Sequence, residues 1–330
     1  MKKLLVSGDT SIARYDLFED GSVQLQEEKP MVRAAFSIPR QDGVFSIYEG
    51  DDDSAFLCLN RALETVDRVD ITGTKLCHIY YAENVQTLYG SCYGTGHVIA
   101  LGIEKNSFTG TRSSIIAGEG QEGTPRAHCC IASPDGRFLL TAAIDQDQSY
   151  WWRIAPDGSI EPNGEAPACQ APKGSGPRHL RFHPDGSTLY AVTEYSNEIL
   201  VYAYAADTGA LQLRQVISTL SPDFKDESFG SALLITQDGQ RLYAANRGAD
   251  TVALFSIAPD KTLTQLAQYS CGGHWPRHME FTKDETMLLV ANERSGSVTL
   301  QRVDADTGAL NIIGQIPFDR PGFAAEWDEF

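Results

Sequence analysis

Two sets of side chains stand at fixed distances from a turn that recurs along the chain. An Asp or Asn marks the turn at positions 42, 84, 135, 185, 238 and 284. Seven residues before it stand Cys77, His128, Arg178, Ser231 and Arg277; nine residues after it stand Tyr93, Ile144, Glu194, Arg247 and Glu293. The N-terminal stretch, aligned as a partial unit, puts Asp9 in the second set. If the turn joins two antiparallel strands, positions about equally far on either side of it lie at one end of the hairpin. An imidazole, several guanidiniums and several carboxylates are then candidates to surround one small molecule. Arginines grip a carboxylate or a phosphate through paired hydrogen bonds. Glu194 or His128 suits a general base acting on water, and an arginine suits stabilisation of an oxyanion. Taken singly, each of these residues reads more readily as part of an ion pair tying strand ends together. Their coincidence in two registers is what points to chemistry.

The elements that must position them repeat as well. Ser133-Pro134-Asp135-Gly136, His183-Pro184-Asp185-Gly186, Thr236-Gln237-Asp238-Gly239 and Thr282-Lys283-Asp284-Glu285 are turn signals, each followed by an apolar run such as Leu189-Tyr190 or Leu242-Tyr243. A second strand–turn–strand element follows each anchor, as in Ile199–Tyr204 before Asp207-Thr208-Gly209 and Val298–Val303 before Asp306-Thr307-Gly308. Further copies start near Ile12, Phe56, Val98, Tyr150 and Val252, which makes seven. No helical periodicity of useful length occurs. Four short antiparallel strands per ~40–50 residues, repeated radially, predict an all-β, seven-bladed β-propeller. The ends fit this. Lys3–Val6 matches a second strand, and Pro321–Trp327 matches a first strand such as Pro276–Phe281, so one four-stranded blade is expected to be stitched from both termini. Closure of this kind leaves no long unpaired edge. Residues 1–330 are therefore read as a single domain, against a length prior of about two. In a propeller, His128, Arg178, Glu194, Arg247, Arg277, Glu293 and Asp9 ring one mouth of the central channel.

Composition narrows the partners. Lys and Arg number 27 against 44 Asp and Glu, a net charge of −17. So acidic a body disfavours nucleic-acid phosphates and anionic membrane. No apolar stretch approaches the length of a membrane span, and the start is too short in apolar residues for a signal peptide. Seven cysteines, an odd number without a C-x-x-C pair, suit a reducing cytoplasm.

The stretch Gly176-Pro177-Arg178-His179-Leu180-Arg181-Phe182-His183-Pro184-Asp185-Gly186, followed by Tyr190-Ala191-Val192-Thr193-Glu194, resembles the signature of the seven-bladed lactonase family. That family includes propeller-type 6-phosphogluconolactonases and carboxymuconate lactonizing enzymes. The resemblance is strongest from Ala127 to Asn311 and faint before residue 80. It implies a catalytic set of His128, Arg178, Glu194 and Arg247, and Arg277 also matches a family arginine; Arg277, His179 and Glu293, which share the expected mouth, are read as substrate-binding residues. It further implies hydrolysis of a sugar lactone, 6-phosphogluconolactonase-like, on a small anionic lactone or sugar phosphate, with no cofactor. In that scheme Glu194, with His128, deprotonates water; Arg178 or Arg247 holds the oxyanion; the remaining arginine, with Arg277, binds a phosphate or carboxylate. Two alternatives are a non-enzymatic propeller scaffold and the reverse, lactonizing chemistry. The sequence departs from the family around His128, which Cys129-Cys130 follows directly.

Other signals read as structural. Cys129 and Cys130, adjacent on a strand, should face opposite sides and act as small buried residues. The histidines show no H-x-H or H-E-x-x-H spacing, and neighbouring arginines oppose a cation, so no metal is expected. There is no G-x-S-x-G elbow. Gly118-Glu119-Gly120 and Gly174-Ser175-Gly176 lack a Walker lysine and read as turns. Trp151-Trp152 reads as packing between strands, and Asp51-Asp52-Asp53 as a solvated loop.

Overall fold

The computed structural model describes residues 1–119, 122–163 and 169–327. Seven antiparallel sheets form a ring. Blade 1 is ordered Pro321–Glu326, Lys2–Gly8, Ser11–Leu17, Val23–Pro30 from the axis outwards. The first strands of blades 2 to 7 are Ser37–Arg40, Leu76–Ala82, Ala127–Ala132, Pro177–Phe182, Phe229–Ile235 and Pro276–Phe281. Blade 4 has a fifth short strand, Cys169–Gln170, paired to its third. Helix is limited to the 3-10 turns Glu83–Val85 and Ile144–Gln146 among the described residues. None is long and apolar enough to cross a membrane.

The expected closure is present. Lys2–Gly8 pairs with Pro321–Glu326 in the register Leu4↔Glu326 to Ser7↔Phe323. The Trp327 indole N–H then donates to Arg40 O of blade 2 at 2.7 Å.

Second strands read as unbroken apolar runs because a neighbouring blade covers each of their faces. Leu4 packs towards blade 7, with Leu289 and Leu300, whereas Leu5 packs towards blade 2, with Val44 and Leu57. Seven such clusters lie between successive blades. Cys129 and Cys130 obey the same rule: the first faces blade 5 and the second faces blade 3. Tyrosines reinforce the ring. The hydroxyls of Tyr89, Tyr190 and Tyr243 donate to Gly158 O, Lys261 O and Gly308 O, each on the next blade.

The anchor turns behave as their chemistry dictates. Asp135 Oδ1 accepts from Ser133 Oγ at 2.6 Å and from Arg137 N–H at 3.1 Å. Gly136, Gly186 and Gly239 sit at φ of +70°, +75° and +68°, where a side chain is strained. The Gly174-Ser175-Gly176 segment is a turn whose two glycine N–H groups donate to the Asp147 carboxylate. Trp151 stacks on Phe138 at 5.5 Å, and Trp152 donates to Thr141 Oγ1. The Asp51 carboxylate pairs with Arg33 and Lys75 at the surface. Gly120, in the other glycine-rich stretch, lies outside the described residues.

Candidate active site

A backbone irregularity delivers the side chains to the mouth. In six blades the pairing of first and second strands slips near the mouth, and the slip falls at Cys77, His128, Arg178, Ser231, Arg277 and Gly322. A β-bulge leaves its extra residue outside the ladder and re-aims the side chain. The first of the two sequence registers is thus a ring of bulges. The second register is held by a repeated hydrogen bond. The N–H groups of Glu49, Tyr93, Ile144, Glu194 and Glu293 donate to Arg33 O, Lys75 O, Arg126 O, Gly176 O and Trp275 O. Those five acceptor residues all have positive φ, from +51° at Arg33 to +69° at Trp275. For a residue as bulky as Trp275 that conformation is costly, and such strain concentrates at functional sites.

Arg178 and Arg247 converge on one carboxylate. Arg178 Nε lies 3.3 Å from Glu194 Oε2, and Arg247 Nη2 lies 3.1 Å from Glu194 Oε1. Arg178 is 3 % exposed and also donates through Nη1 to Ser231 O. Arg247 Nη2 donates to Gly230 O at 3.1 Å. The Nε–H of Arg247 is buried and has no hydrogen-bond acceptor, whereas that of Arg178 faces Glu194. Burial, then the neighbouring Arg247 charge, pulls the Arg178 guanidinium down to about 9. Arg247 is likewise lowered, mainly by burial. This half of the mouth is short of negative charge.

His128 is 6 % exposed, and its Nδ1 is buried without a partner. Its backbone carbonyl accepts from Ser91 Oγ and Cys77 Sγ of blade 3, which fixes the bulge. Burial, followed by the Arg178 charge, pushes its pKa well below the ordinary 6.5, so the ring is neutral at neutral pH. His179 lies one residue deeper than Arg178, its ring 5.0 Å from that of His128 and 5.6 Å from that of His78. His78, His179, His278, Phe36 and Phe323 make an aromatic belt across the channel, with Phe36–His78 and His278–Phe323 each at 4.5 Å.

Arg277 and Glu293 share the mouth but not the Glu194 cluster. Arg277 Nη2 pairs with Glu49 Oε2 at 2.8 Å and Nη1 with Glu293 Oε1 at 3.5 Å. Arg320 joins Glu293 at 2.9 Å and Asp9 at 2.9 Å. The Glu49 charge, in spite of burial, pushes the Arg277 guanidinium up. Counting along the sequence does not find Glu49. Nine residues after Asp42 is Asp51, because the hairpin of blade 2 is two residues shorter than the others. Position after the second strand, Gly43–Tyr48, is the signal that would have found it. Trp275 was also missed: it lies under Arg247, at 5.3 Å, and Arg294, at 3.2 Å; Tyr93, of the second register, stands 6.3 Å from His128.

A cavity of about 560 Å³ opens at the other end of the channel. It lies beyond the belt, with Ile38, Ile131 and Leu234 in its walls and Arg181, Glu280 and Lys283 at its rim. His179 alone of the sequence-predicted residues borders it. The opposite mouth holds the buried guanidiniums of Arg178 and Arg247.

Comparison with known proteins places this architecture. The model of the seven-bladed β-propeller lactonases matches residues 11–325. The chain belongs to that family. Among curated relatives of this lactonase-family protein, a Bacillus subtilis 6-phosphogluconolactonase is 30% identical over 287 residues, 84% of this chain and 79% of the relative. A Cronobacter sakazakii 6-phosphogluconolactonase is 26% identical over 238 residues, 72% and 69% of the two chains. In fold, a Pseudomonas aeruginosa periplasmic gluconolactonase superimposes with a TM-score of 0.91 at 21% identity, covering 99% of both chains. A Lactobacillus plantarum protein gives 0.90 at 21% identity, again over 99% of both.

Proposed function

We propose that the protein hydrolyses a sugar lactone at this mouth, in the manner of a 6-phosphogluconolactonase. Within a chain of the lactonase family, one observation carries the reading. The buried Nε–H of Arg247 and the buried Nδ1 of His128 have no hydrogen-bond partner, and Arg178, on the blade between them, shares the single carboxylate of Glu194 with Arg247. Ester hydrolysis needs donors aimed where negative charge develops and a base for water. Arg178 and Arg247 supply the first. His128 supplies the second, since its ring is neutral and Nδ1 is free, whereas both Glu194 oxygens face guanidiniums. Glu194 then positions the two arginines, a reversal of the roles that resemblance suggested.

In this scheme His128 takes a proton from water as its oxygen bonds to the lactone carbonyl carbon. The carbonyl electron pair moves to oxygen, facing the Arg178 and Arg247 guanidiniums. Collapse re-forms the carbonyl, breaks the ring C–O bond, and His128 returns the proton to the departing alkoxide. The product acid ionises in water. No step requires a metal or cofactor. The seven free thiols, six of them buried, suit a reducing compartment such as the cytoplasm.

The test is proton release in a pH-stat with gluconolactone and 6-phosphogluconolactone, corrected for spontaneous ring opening. Acceleration that His128→Asn abolishes supports the reading. Wild-type rates equal to the spontaneous ones overturn it.

A further inference from the structure

The mouth contains two ion-pair groups of inverse composition. Glu194 lies between two guanidiniums, Arg178 and Arg247. Arg277 lies between two carboxylates, Glu49 and Glu293. The groups are neighbours: Arg277 weakens the protonation of both Arg178 and Arg247, and the Cys77 thiol feels Glu49, Arg178 and Arg277 together. Formally, the first group carries one surplus positive charge and the second one surplus negative charge. Glu49 comes from blade 2 and Arg277 from blade 7. Blade 1 lies between them and has glycine, Gly322, at its bulge, so Arg277 reaches past it to a second carboxylate. A Cβ at Gly322 would stand 2.7 Å from Ala35 O.

An incoming anion meets very different partners in the two places. At Arg178 and Arg247 it finds two guanidiniums that share one carboxylate, with the Arg247 Nε–H unpartnered. At Arg277 it must displace a carboxylate already bonded at 2.8 Å, against the repulsion of a second. Sugar hydroxyls face no such conflict, since a carboxylate accepts from several donors. We propose that Glu49 is a specificity-determining residue: with Glu293 it brackets Arg277, so the carboxyl end of a ligand goes to Arg178 and Arg247, and this side receives hydroxyls rather than phosphate. The proposal rests on the lactonase reading, and its test is made independent of turnover.

The probes are gluconate and 6-phosphogluconate, which differ only by the phosphate, titrated calorimetrically into wild type and variants. The ratio of their dissociation constants reads the contribution of the phosphate alone. In Glu49→Gln the ratio should move about tenfold towards 6-phosphogluconate, as Arg277 becomes available. Glu293→Gln should move it the same way, and serves if Glu49→Gln does not fold. Glu49→Asp, which keeps the charge, should restore the wild-type ratio. A merely structural Glu49 would weaken both acids alike and leave the ratio unchanged. An unchanged ratio in either folded Gln variant, or binding of neither acid by wild type, overturns the proposal. Binding without any lactone hydrolysis would overturn the catalytic reading and leave this one standing.

Discussion

Across one mouth, the same two functional groups are arranged in opposite proportions. On blades 5 and 6 a carboxylate is outnumbered by guanidiniums; on blades 7 and 2 a guanidinium is outnumbered by carboxylates. The consequence appears in the arginines themselves. Arg178 is pulled down by burial and a like charge, and Arg277 is pushed up by Glu49. An arginine is therefore not an anion site by virtue of being an arginine. What matters is whether its donors are already satisfied. Arg178 and Arg247 share one carboxylate and Arg247 keeps a free Nε–H, in a buried setting where the electrostatic effect on a developing oxyanion is greatest.

The sharpest test of that contrast uses the base of the undersaturated half. His128→Asn should lower kcat by about 10²–10⁴-fold, the usual worth of a general base, measured by pH-stat. Next in size, Arg247→Ala should lower kcat about 10²–10³-fold, or ~2–4 kcal/mol of transition-state stabilisation. Arg277→Met should act mainly on KM, by about tenfold or less, because it is held between two carboxylates. Equal losses in kcat from the two arginine variants would erase the distinction between the halves.

The pH dependence separates the same groups. A neutral His128 is the active form of a base, and its pKa lies well below 6.5 because burial and Arg178 disfavour the imidazolium. The acid limb of kcat/KM should thus stay flat through pH 6.5. A break at 6.5 would mean a solvated, ordinary histidine. The belt gives a stability effect of known sign. Burial lowers His78 and His278 to about 3, so between pH 3 and 6.5 the unfolded chain binds more protons than the folded one. Stability should fall as pH drops below 6.5, by up to ~1.4 kcal/mol per pH unit for each histidine. His278→Asn should reduce the slope of melting temperature against pH. The smallest effect expected is from Trp275→Ala, a few-fold rise in KM from loss of the aromatic wall beside Arg247.

The fold was legible because its signals are local and repeated. Asp-Gly turns fix where first strands end, and a run such as Leu288–Ala291 needs apolar cover on both sides. Antiparallel geometry then set His128, Arg178, Glu194, Arg247, Arg277 and Glu293 on one face without knowledge of the tertiary structure. Pairing within the face was not legible. Whether Glu194 meets Arg178 or Arg277 depends on side-chain reach between blades, which spacing does not encode. Glu49 was hidden by a hairpin two residues short, which broke the count at Asp42. His179 stood one position from the mouth ring, and that single step puts it in the belt, facing the far cavity as much as the site.

The slipped pairing at each innermost strand has an evolutionary reading. A side chain outside the hydrogen-bond ladder can be exchanged without disturbing the sheet that carries it. Cysteine, histidine, arginine, serine and glycine already occupy equivalent places around this ring. The scaffold thus separates heritable architecture from reactive inventory, and new substrates could be reached by changing one position per sheet.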